Sequence, residues 1–423
     1  RHYGSADSLT WVLAGSLLED MPSQTATLAA CSLATANAFV TPAVQDGSLR
    51  ALKQQSQVRQ LRGTVGTQTA STNTLAAACF GTVGAASVVA AAARKSKTRI
   101  VRSRIVRLAR GGGDVDCKTA FLFPGQGAQS VGMCKELTDS CPAAKELFDK
   151  ASDILGYDLL DKCVNGPKEE LDTTAISQPA IFVASMAAVE KLKQDEGADV
   201  VDQATVAMGL SLGEYSALCF AGALDFEDGV KITKARGEAM QAAADAVDSG
   251  MVSVIGLDSE KTKELCTKAS ADSGKTVQIA NYLCKGNYTV SGDKEACAKL
   301  AEIAKPEFKA RMAVPLAVAG AFHTDFMAPA VESLKTALKA ADIKEPRIPV
   351  VSNVDAKPHG TPDEIREKLA KQVTAPVMWE QQMQAMVGSG FEKGFELGPG
   401  AVVAGILKRI DKEAAKNVTQ ITA

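Results

Sequence analysis

The segment AMGLSLGEYSAL, residues 207–218, places a serine between two glycines in the pattern Gly209-x-Ser211-x-Gly213. A short apolar run precedes the serine and a helical pattern follows it, which predicts a strand, a sharp turn and a helix. Glycines permit a turn tight enough to expose the serine oxygen, and the N–H groups of the following helix favour negative charge there. Because a serine at a helix start is also a common N-cap, the motif alone leaves both a nucleophile and a cap open.

A nucleophilic serine needs a base, and the sequence contains only three histidines, His2, His323 and His359. His323 follows an apolar run and precedes a helical pattern, so a loop of small residues could bring its imidazole to the end of a sheet. His359 lies in the polar turn DAKPHG and is expected at the solvated surface. With His2 in a leader-like segment, the sequence favours His323 as the base for Ser211.

From residue 116 onward, apolar runs alternate with helical patterns, which predicts an α/β core with a mainly parallel sheet. Between residues 252 and 318 the order changes to strand, helix, strand, strand, helix, strand, which is that of a ferredoxin-like α+β unit. We therefore expect an α/β core formed by 116–251 and 319–412, an insertion at 252–318, and a C-terminal tail at 413–423.

Residues 1–115 have the composition of an organelle-targeting leader. No acidic residue occurs between Asp46 and Asp114, whereas Arg, Lys, Ser, Thr and Ala are frequent. The uncharged run from Leu75 to Ala93 is long enough to cross a bilayer, but it consists mostly of small, weakly apolar residues. We expect a leader that is removed, no stable membrane span in the mature protein, and a precursor that starts upstream of the first residue, an arginine.

Charge and cysteine usage exclude several classes of protein. Residues 1–116 carry 13 basic and six acidic side chains, whereas the remainder carries 34 basic and 43 acidic ones. The excess of acidic residues in 117–423 argues against a general nucleic-acid-binding protein, which needs clustered positive charge. The ten cysteines show no C-x-x-C spacing, so we expect reduced, mostly buried thiols and no metal site. FPGQGAQSVG lacks the G-K-[ST] of a phosphate-binding loop, which argues against a nucleotide site.

Six segments in fixed order resemble the malonyl-CoA:acyl-carrier-protein transacylase family: FLFPGQGAQ, GLSLGEYSAL, the arginine in TKARGEAMQ, GAFHTDFM, SNVDA and KQVTAPVMW. The resemblance runs from about residue 118 to 412. It implies a hydrolase-like α/β core with a ferredoxin-like insertion, in agreement with the pattern of elements. It also implies transfer of malonyl from malonyl-CoA to the phosphopantetheine thiol of acyl carrier protein, through a malonyl-serine intermediate, for fatty-acid synthesis.

The resemblance assigns the reacting groups. Ser211 matches the family nucleophile, His323 its base, and Arg236 the arginine that binds the free carboxylate of malonate. A guanidinium suits that group because it forms two parallel hydrogen bonds that lysine cannot form. Phe322 is expected to crowd an α-methyl group, which favours malonyl over methylmalonyl by about 1–3 kcal/mol. Leu210 departs from the family pattern, in which a histidine commonly precedes the nucleophile.

Three further positions match supporting groups of the family. The backbone N–H groups of Gln126 and Leu212 match the oxyanion hole, and the main-chain carbonyl of Gln372 matches the group that orients the histidine in place of an aspartate. The resemblance implies no metal and no cofactor, since malonyl-CoA is a substrate and phosphopantetheine is carried by the partner protein.

Other activities stay open at this point: the acyltransferase of a polyketide synthase or multifunctional fatty-acid synthase, a serine hydrolase such as a lipase or thioesterase, and a non-catalytic scaffold. A leader before the body and an end soon after the last helical pattern favour a free-standing enzyme, expected to be a monomer. A leader combined with a carrier-protein partner predicts the plastid stroma as the location, with the mitochondrion as the alternative.

Overall fold

The computed structural model describes residues 115–423. The predicted leader, apart from residue 115, lies outside the described residues, as does the uncharged run within it. The first half of the described chain forms β1 (Thr119–Phe123), α1 (Lys135–Ser140), α2 (Pro142–Leu155), α3 (Leu159–Asn165), α4 (Lys168–Leu171), α5 (Thr174–Glu196), a 3₁₀ helix (Val200–Gln203), β2 (Val206–Gly209), α6 (Gly213–Phe220) and α7 (Phe226–Asp245).

The second half forms β3 (Ser249–Ile255), α8 (Ser259–Ser273), β4 (Val277–Cys284), β5 (Asn287–Asp293), α9 (Lys294–Ala304), β6 (Met312–Pro315), a 3₁₀ helix (Asp325–Ala330), α10 (Val331–Ala340), β7 (Val350–Val351), α11 (Pro362–Gln372), α12 (Trp379–Gly388), β8 (Lys393–Gly398), α13 (Val402–Ile410), α14 (Lys412–Lys416) and β9 (Val418–Thr422).

A parallel five-stranded sheet in the order β7-β2-β1-β8-β9 forms the core. Every residue of β1 is buried, as expected for a central strand covered on both faces. On one face Phe121 stacks on Phe220, with ring centroids 4.5 Å apart. On the other face, Leu122 belongs to an apolar cluster that includes Val377 and Trp379. The predicted parallel α/β core is confirmed.

A second, antiparallel sheet has the order β4-β5-β3-β6. Its chain order, β3-α8-β4-β5-α9-β6, confirms the ferredoxin-like unit. The unit has its own apolar cluster, which includes Val254, Leu265, Val290 and Leu300. Its first strand begins at Ser249, before the boundary expected from the sequence.

The C-terminal segment is not a tail, and the expectation for 413–423 is wrong. After α14, strand β9 pairs in parallel with β8, from Gly394 opposite Val418 to Gly398 opposite Thr422. The strand VTQIT is rich in β-branched residues, and Ile421 packs against the main core. Five residues with two half-buried side chains give too weak a pattern to stand out in the sequence.

Within residues 115–423, no helix combines the length and the apolar character needed to cross a membrane. The eight cysteines of this region are free, and seven of them are buried.

Candidate active site

Ser211 lies in the sharp turn between β2 and α6, as the glycine pattern predicts. Its φ of 52° is in the left-handed region, where a residue with a side chain is strained. Gly213 is required by close packing, because a Cβ there would lie 2.3 Å from the carbonyl oxygen of Phe123. The turn therefore holds the serine in a conformation that the surrounding backbone imposes.

His323 lies beside this serine, with its Nε2 2.9 Å from the Ser211 Oγ. Its Nδ1 is 2.8 Å from the main-chain carbonyl oxygen of Gln372. Because that carbonyl can only accept, Nδ1 carries the hydrogen and Nε2 is left to accept the proton of the serine. The structure thus brings together three of the predicted site residues, Ser211, His323 and Gln372.

The imidazole of His323 is kept neutral by its surroundings. Burial, and to a smaller extent the charge of Arg236, lower the pKa of His323 to about 4, although the hydrogen bond to the Gln372 carbonyl opposes both effects. A neutral imidazole at pH 7 is the form that can take a proton from the hydroxyl group.

Arg236 extends from α7 into the same site and is 1% exposed. Its Nη2 donates to the Ser211 Oγ at 3.2 Å and to the Gln372 Oε1 at 2.9 Å, and its Cζ lies 5.3 Å from the centre of the Tyr215 ring. Burial lowers the pKa of Arg236. Among the residues that the structure describes, no carboxylate lies within ion-pair distance of this guanidinium, and its Nε has no hydrogen-bond partner. A buried cation without an anion is costly, so the site suits an anionic ligand.

Two amide side chains hold the backbone of the turn. Asn353 accepts from the Ser211 N–H at 2.6 Å through its Oδ1 and donates to the Gly209 carbonyl oxygen at 2.7 Å through its Nδ2. Gln372 donates to the Ser211 carbonyl oxygen at 2.9 Å through its Nε2. Asn353 lies in the segment SNVDA and is not among the residues predicted for the site. Its position two residues after β7, at the end of a strand in the parallel sheet, is the signal that points to it.

The expectation that His359 lies at the solvated surface is wrong. His359 is 1% exposed, and its Nε2 donates to the Glu214 Oε1 at 2.6 Å. The polar turn folds back along the edge strand β7, where the His359 N–H donates to the Val350 carbonyl oxygen and Pro358 bridges to Val351. A signal for the pair exists in the sequence: a glutamate in the apolar helix GEYSALCF needs a buried donor.

The remaining predicted positions surround this centre. Gln126 lies in the loop after β1, where its Nε2 donates to the Thr174 Oγ1 at 3.3 Å, and Leu212 directly precedes α6. Within residues 115–423, the backbone N–H groups of Gln126 and Leu212 have no protein acceptor. Phe322 is buried in the main core, next to His323 in the chain. Leu210 is buried in the apolar cluster on the other face of the sheet.

No group of three or more His, Cys, Asp or Glu side chains that could hold a metal ion occurs between residues 115 and 423.

Comparison with known proteins identifies the family. Residues 120–422 match the family described as acyl transferase domain. Over 313 residues the chain is 43% identical to the human protein named malonyl-CoA-acyl carrier protein transacylase, mitochondrial, covering 72% of this chain and 80% of the human one. The chain belongs to the malonyl-CoA-acyl carrier protein transacylase family. It is therefore an acyltransferase.

Two further transacylases support this assignment. The Bacillus subtilis malonyl CoA-acyl carrier protein transacylase is 41% identical over 295 residues, which cover 70% of this chain and 91% of that protein. A solved transacylase structure from Coxiella burnetii is 35% identical, with a TM-score of 0.68, and the match covers 74% of this chain and 96% of that one. The transacylase fold thus extends over nearly all of the described residues.

Proposed function

We propose that this transacylase transfers a malonyl group from malonyl-CoA to the phosphopantetheine thiol of an acyl carrier protein, through a malonyl ester on Ser211. The observation that carries the proposal is the buried Arg236, which has no carboxylate partner among the described residues and lies 3.2 Å from the Ser211 Oγ. An acyl group with a free carboxylate supplies the missing anion. The names of the human and Bacillus subtilis relatives support malonyl as that group.

In the first half-reaction, the Ser211 Oγ attacks the thioester carbonyl carbon while the His323 Nε2 takes the hydroxyl proton. The negative charge that develops on the carbonyl oxygen is stabilised by the unpaired N–H groups of Gln126 and Leu212. When the tetrahedral intermediate collapses, the C–S bond breaks and His323 returns the proton to the leaving sulfur of CoA.

In the second half-reaction, the same groups act in reverse. The carrier-protein thiol loses its proton to the His323 Nε2 and attacks the carbonyl carbon of the malonyl-serine ester. The C–O bond then breaks, and His323 returns the proton to the Ser211 Oγ. Because CoA leaves before the carrier protein reacts, the kinetics are ping-pong.

A serine hydrolase is the rival from a different reaction class, since it would use the same serine and histidine with water as the acceptor. Such an enzyme has no need of a buried guanidinium beside the nucleophile. An acyltransferase of a polyketide system would share the chemistry and differ in its carrier protein. A scaffold role without catalysis does not account for Ser211 and His323 at hydrogen-bond distance.

The acceptor distinguishes a transferase from a hydrolase. We expect protein labelled with malonyl from malonyl-CoA to lose its label much faster when holo acyl carrier protein is added than in buffer alone. Apo carrier protein, which lacks the phosphopantetheine thiol, is the matched control and should leave the label in place. Rapid loss of malonate to water, independent of carrier protein, would contradict the proposal and favour the hydrolase.

The compartment and the oligomeric state are part of the same proposal. We propose delivery to the plastid stroma, with the mitochondrion as the alternative; the word mitochondrial in the name of the human relative supports the alternative. A fluorescent fusion of residues 1–116 tests the destination. We also propose a monomer, to be tested by light scattering.

A further inference from the structure

The Glu214 carboxylate is fully buried in the first turn of α6, and the reaction scheme does not use it. Three donors surround it. Its Oε2 accepts from the Asn353 N–H at 3.0 Å and from the Gln372 Nε2 at 2.7 Å, and its Oε1 accepts from the His359 Nε2 at 2.6 Å. A buried carboxylate is tolerated only when such partners compensate for its lost hydration. The three donors come from segments well over 100 residues away in sequence.

Glu214 fixes the direction of the Gln372 side-chain amide. A carboxylate can only accept, so the Gln372 Nε2 must face Glu214, and the Oε1 is turned toward the Arg236 Nη2, 2.9 Å away. In the reversed amide, an N–H group would face the guanidinium and an oxygen would face the carboxylate. Both contacts would then be repulsive.

The interposed amide also keeps the two charges apart. A carboxylate in direct contact with Arg236 would neutralise the guanidinium that the substrate needs. Through Gln372, Glu214 determines where Arg236 points without forming an ion pair with it. The same carboxylate holds the backbone of Asn353, whose side chain bonds the Ser211 N–H.

His359 lies on the side of Glu214 opposite Gln372 in the hydrogen-bond chain and contacts its other carboxylate oxygen. It supplies the side-chain donor to the second oxygen of Glu214, and within the described residues its own Nδ1 has no partner. The imidazole can therefore exchange its tautomer without breaking another hydrogen bond.

We propose that Glu214, held by His359, is a positioning residue that aligns Arg236 for a carboxylate-bearing acyl group through the amide of Gln372. This inference rests on the proposed function. Neither Glu214 nor His359 touches the substrate. Their effect should therefore appear in discrimination between malonyl and acetyl groups, because only the malonyl group uses the guanidinium as a carboxylate ligand.

The test compares acylation of Ser211 from malonyl-CoA and from acetyl-CoA in wild type, Glu214→Ala and Glu214→Gln. In Glu214→Ala the Gln372 amide is free to reverse, so we expect kcat/KM for malonyl-CoA to fall about 10- to 100-fold, mainly through KM. The acetyl reaction should fall much less. Glu214→Gln should recover most of the malonyl rate, because its oxygen still accepts from Asn353 and Gln372, and its amide can donate to the other tautomer of His359.

Equal losses for the two acyl groups in Glu214→Ala, or no recovery in Glu214→Gln, would overturn the inference, since loss of folded protein lowers both rates together. If Glu214→Ala does not fold, His359→Leu, with His359→Gln as its conservative control, gives the same comparison. A wild-type protein that does not prefer malonyl would contradict the proposed function instead. A wild-type preference that survives unchanged in Glu214→Ala would contradict this inference alone.

Discussion

At the scale of single residues, the central feature is a guanidinium with no anionic partner among the described residues. Arg236 is buried beside Ser211, its acceptors there are neutral, and its pKa is lowered by burial. Arg236 therefore lies beside Ser211 with no carboxylate in direct contact, and the buried Glu214 is separated from it by the Gln372 amide.

Replacing Arg236 tests what this charge is for. In Arg236→Ala we expect kcat/KM for malonyl-CoA to fall about 100-fold or more, because the charge-assisted hydrogen bonds between the buried guanidinium and the malonyl carboxylate are lost. The acetyl-CoA reaction should change little. Arg236→Lys is the matched control: it keeps the charge but not the two parallel hydrogen bonds, so its malonyl activity should lie between those of wild type and alanine. Steady-state kinetics with both thioesters give the comparison, and equal losses would exclude a carboxylate clamp.

The sequence predicts Ser211 and His323 better than it predicts the supporting pair Glu214 and His359. The glycine pattern makes Ser211 a candidate nucleophile without excluding a helix cap, and the scarcity of histidines favours His323 as its base. Arg236 and Gln372 needed the family resemblance. Glu214 and His359 were missed because their pairing depends on a turn that folds back along the edge strand β7. The composition of this turn, DAKPHG, is equally typical of an exposed loop.

At the scale of elements, the turn between β2 and α6 depends on backbone packing that admits no side chain at its glycines. A Cβ at Gly209 would lie 1.9 Å from the carbonyl carbon of Gly213, and a Cβ at Gly213 would meet the backbone of β1. The strand, turn and helix therefore fit together only with these residues.

We expect Gly213→Ala to displace α6 and the serine, and to lower acylation of Ser211 about 100-fold, as a misplacement of about 1 Å can do. The matched control is Gly405→Ala in α13, where a Cβ meets nothing within 4 Å. That change should leave activity unaltered and raise the free energy of unfolding by about 0.5–1 kcal/mol. Acylation rates and urea unfolding of the two variants test these expectations. Wild-type activity in Gly213→Ala would show that the turn can accommodate a Cβ at this position.

Elements with a strong hydrophobic pattern can be predicted from the sequence, whereas those with a weak pattern cannot. The continuous apolar run of β1 can be recognised as a strand in the sequence, and so can the order of strands and helices in the ferredoxin-like unit. Strand β9 cannot, because its existence depends on the edge of β8 that receives it, and pairing partners cannot be inferred from a five-residue segment.

At the scale of the whole molecule, burial of His323 links the proposed site to the stability of the fold. The pKa of His323 is about 4 in the folded protein and about 6.5 when unfolded. Since the unfolded chain takes up the proton first, the free energy of unfolding decreases as the pH falls from about 6.5 toward 4.

This linkage predicts a pH-dependent difference between two proteins. Between pH 7 and pH 5, wild type should lose about 2 kcal/mol more stability than His323→Gln, which has no imidazole to protonate at this position. Urea unfolding of both proteins at the two pH values measures the difference, and contributions of other groups cancel. Parallel pH dependence of the two proteins would show that His323 is not held neutral by the fold.

The most direct test of the account is to identify the group that malonyl-CoA modifies. We expect brief exposure to malonyl-CoA, followed by acid quenching and peptide mass spectrometry, to place one malonyl group on the peptide that contains Ser211. The label should be absent from Ser211→Ala at the same folded concentration. A label on another residue, or one that persists in Ser211→Ala, would contradict the account.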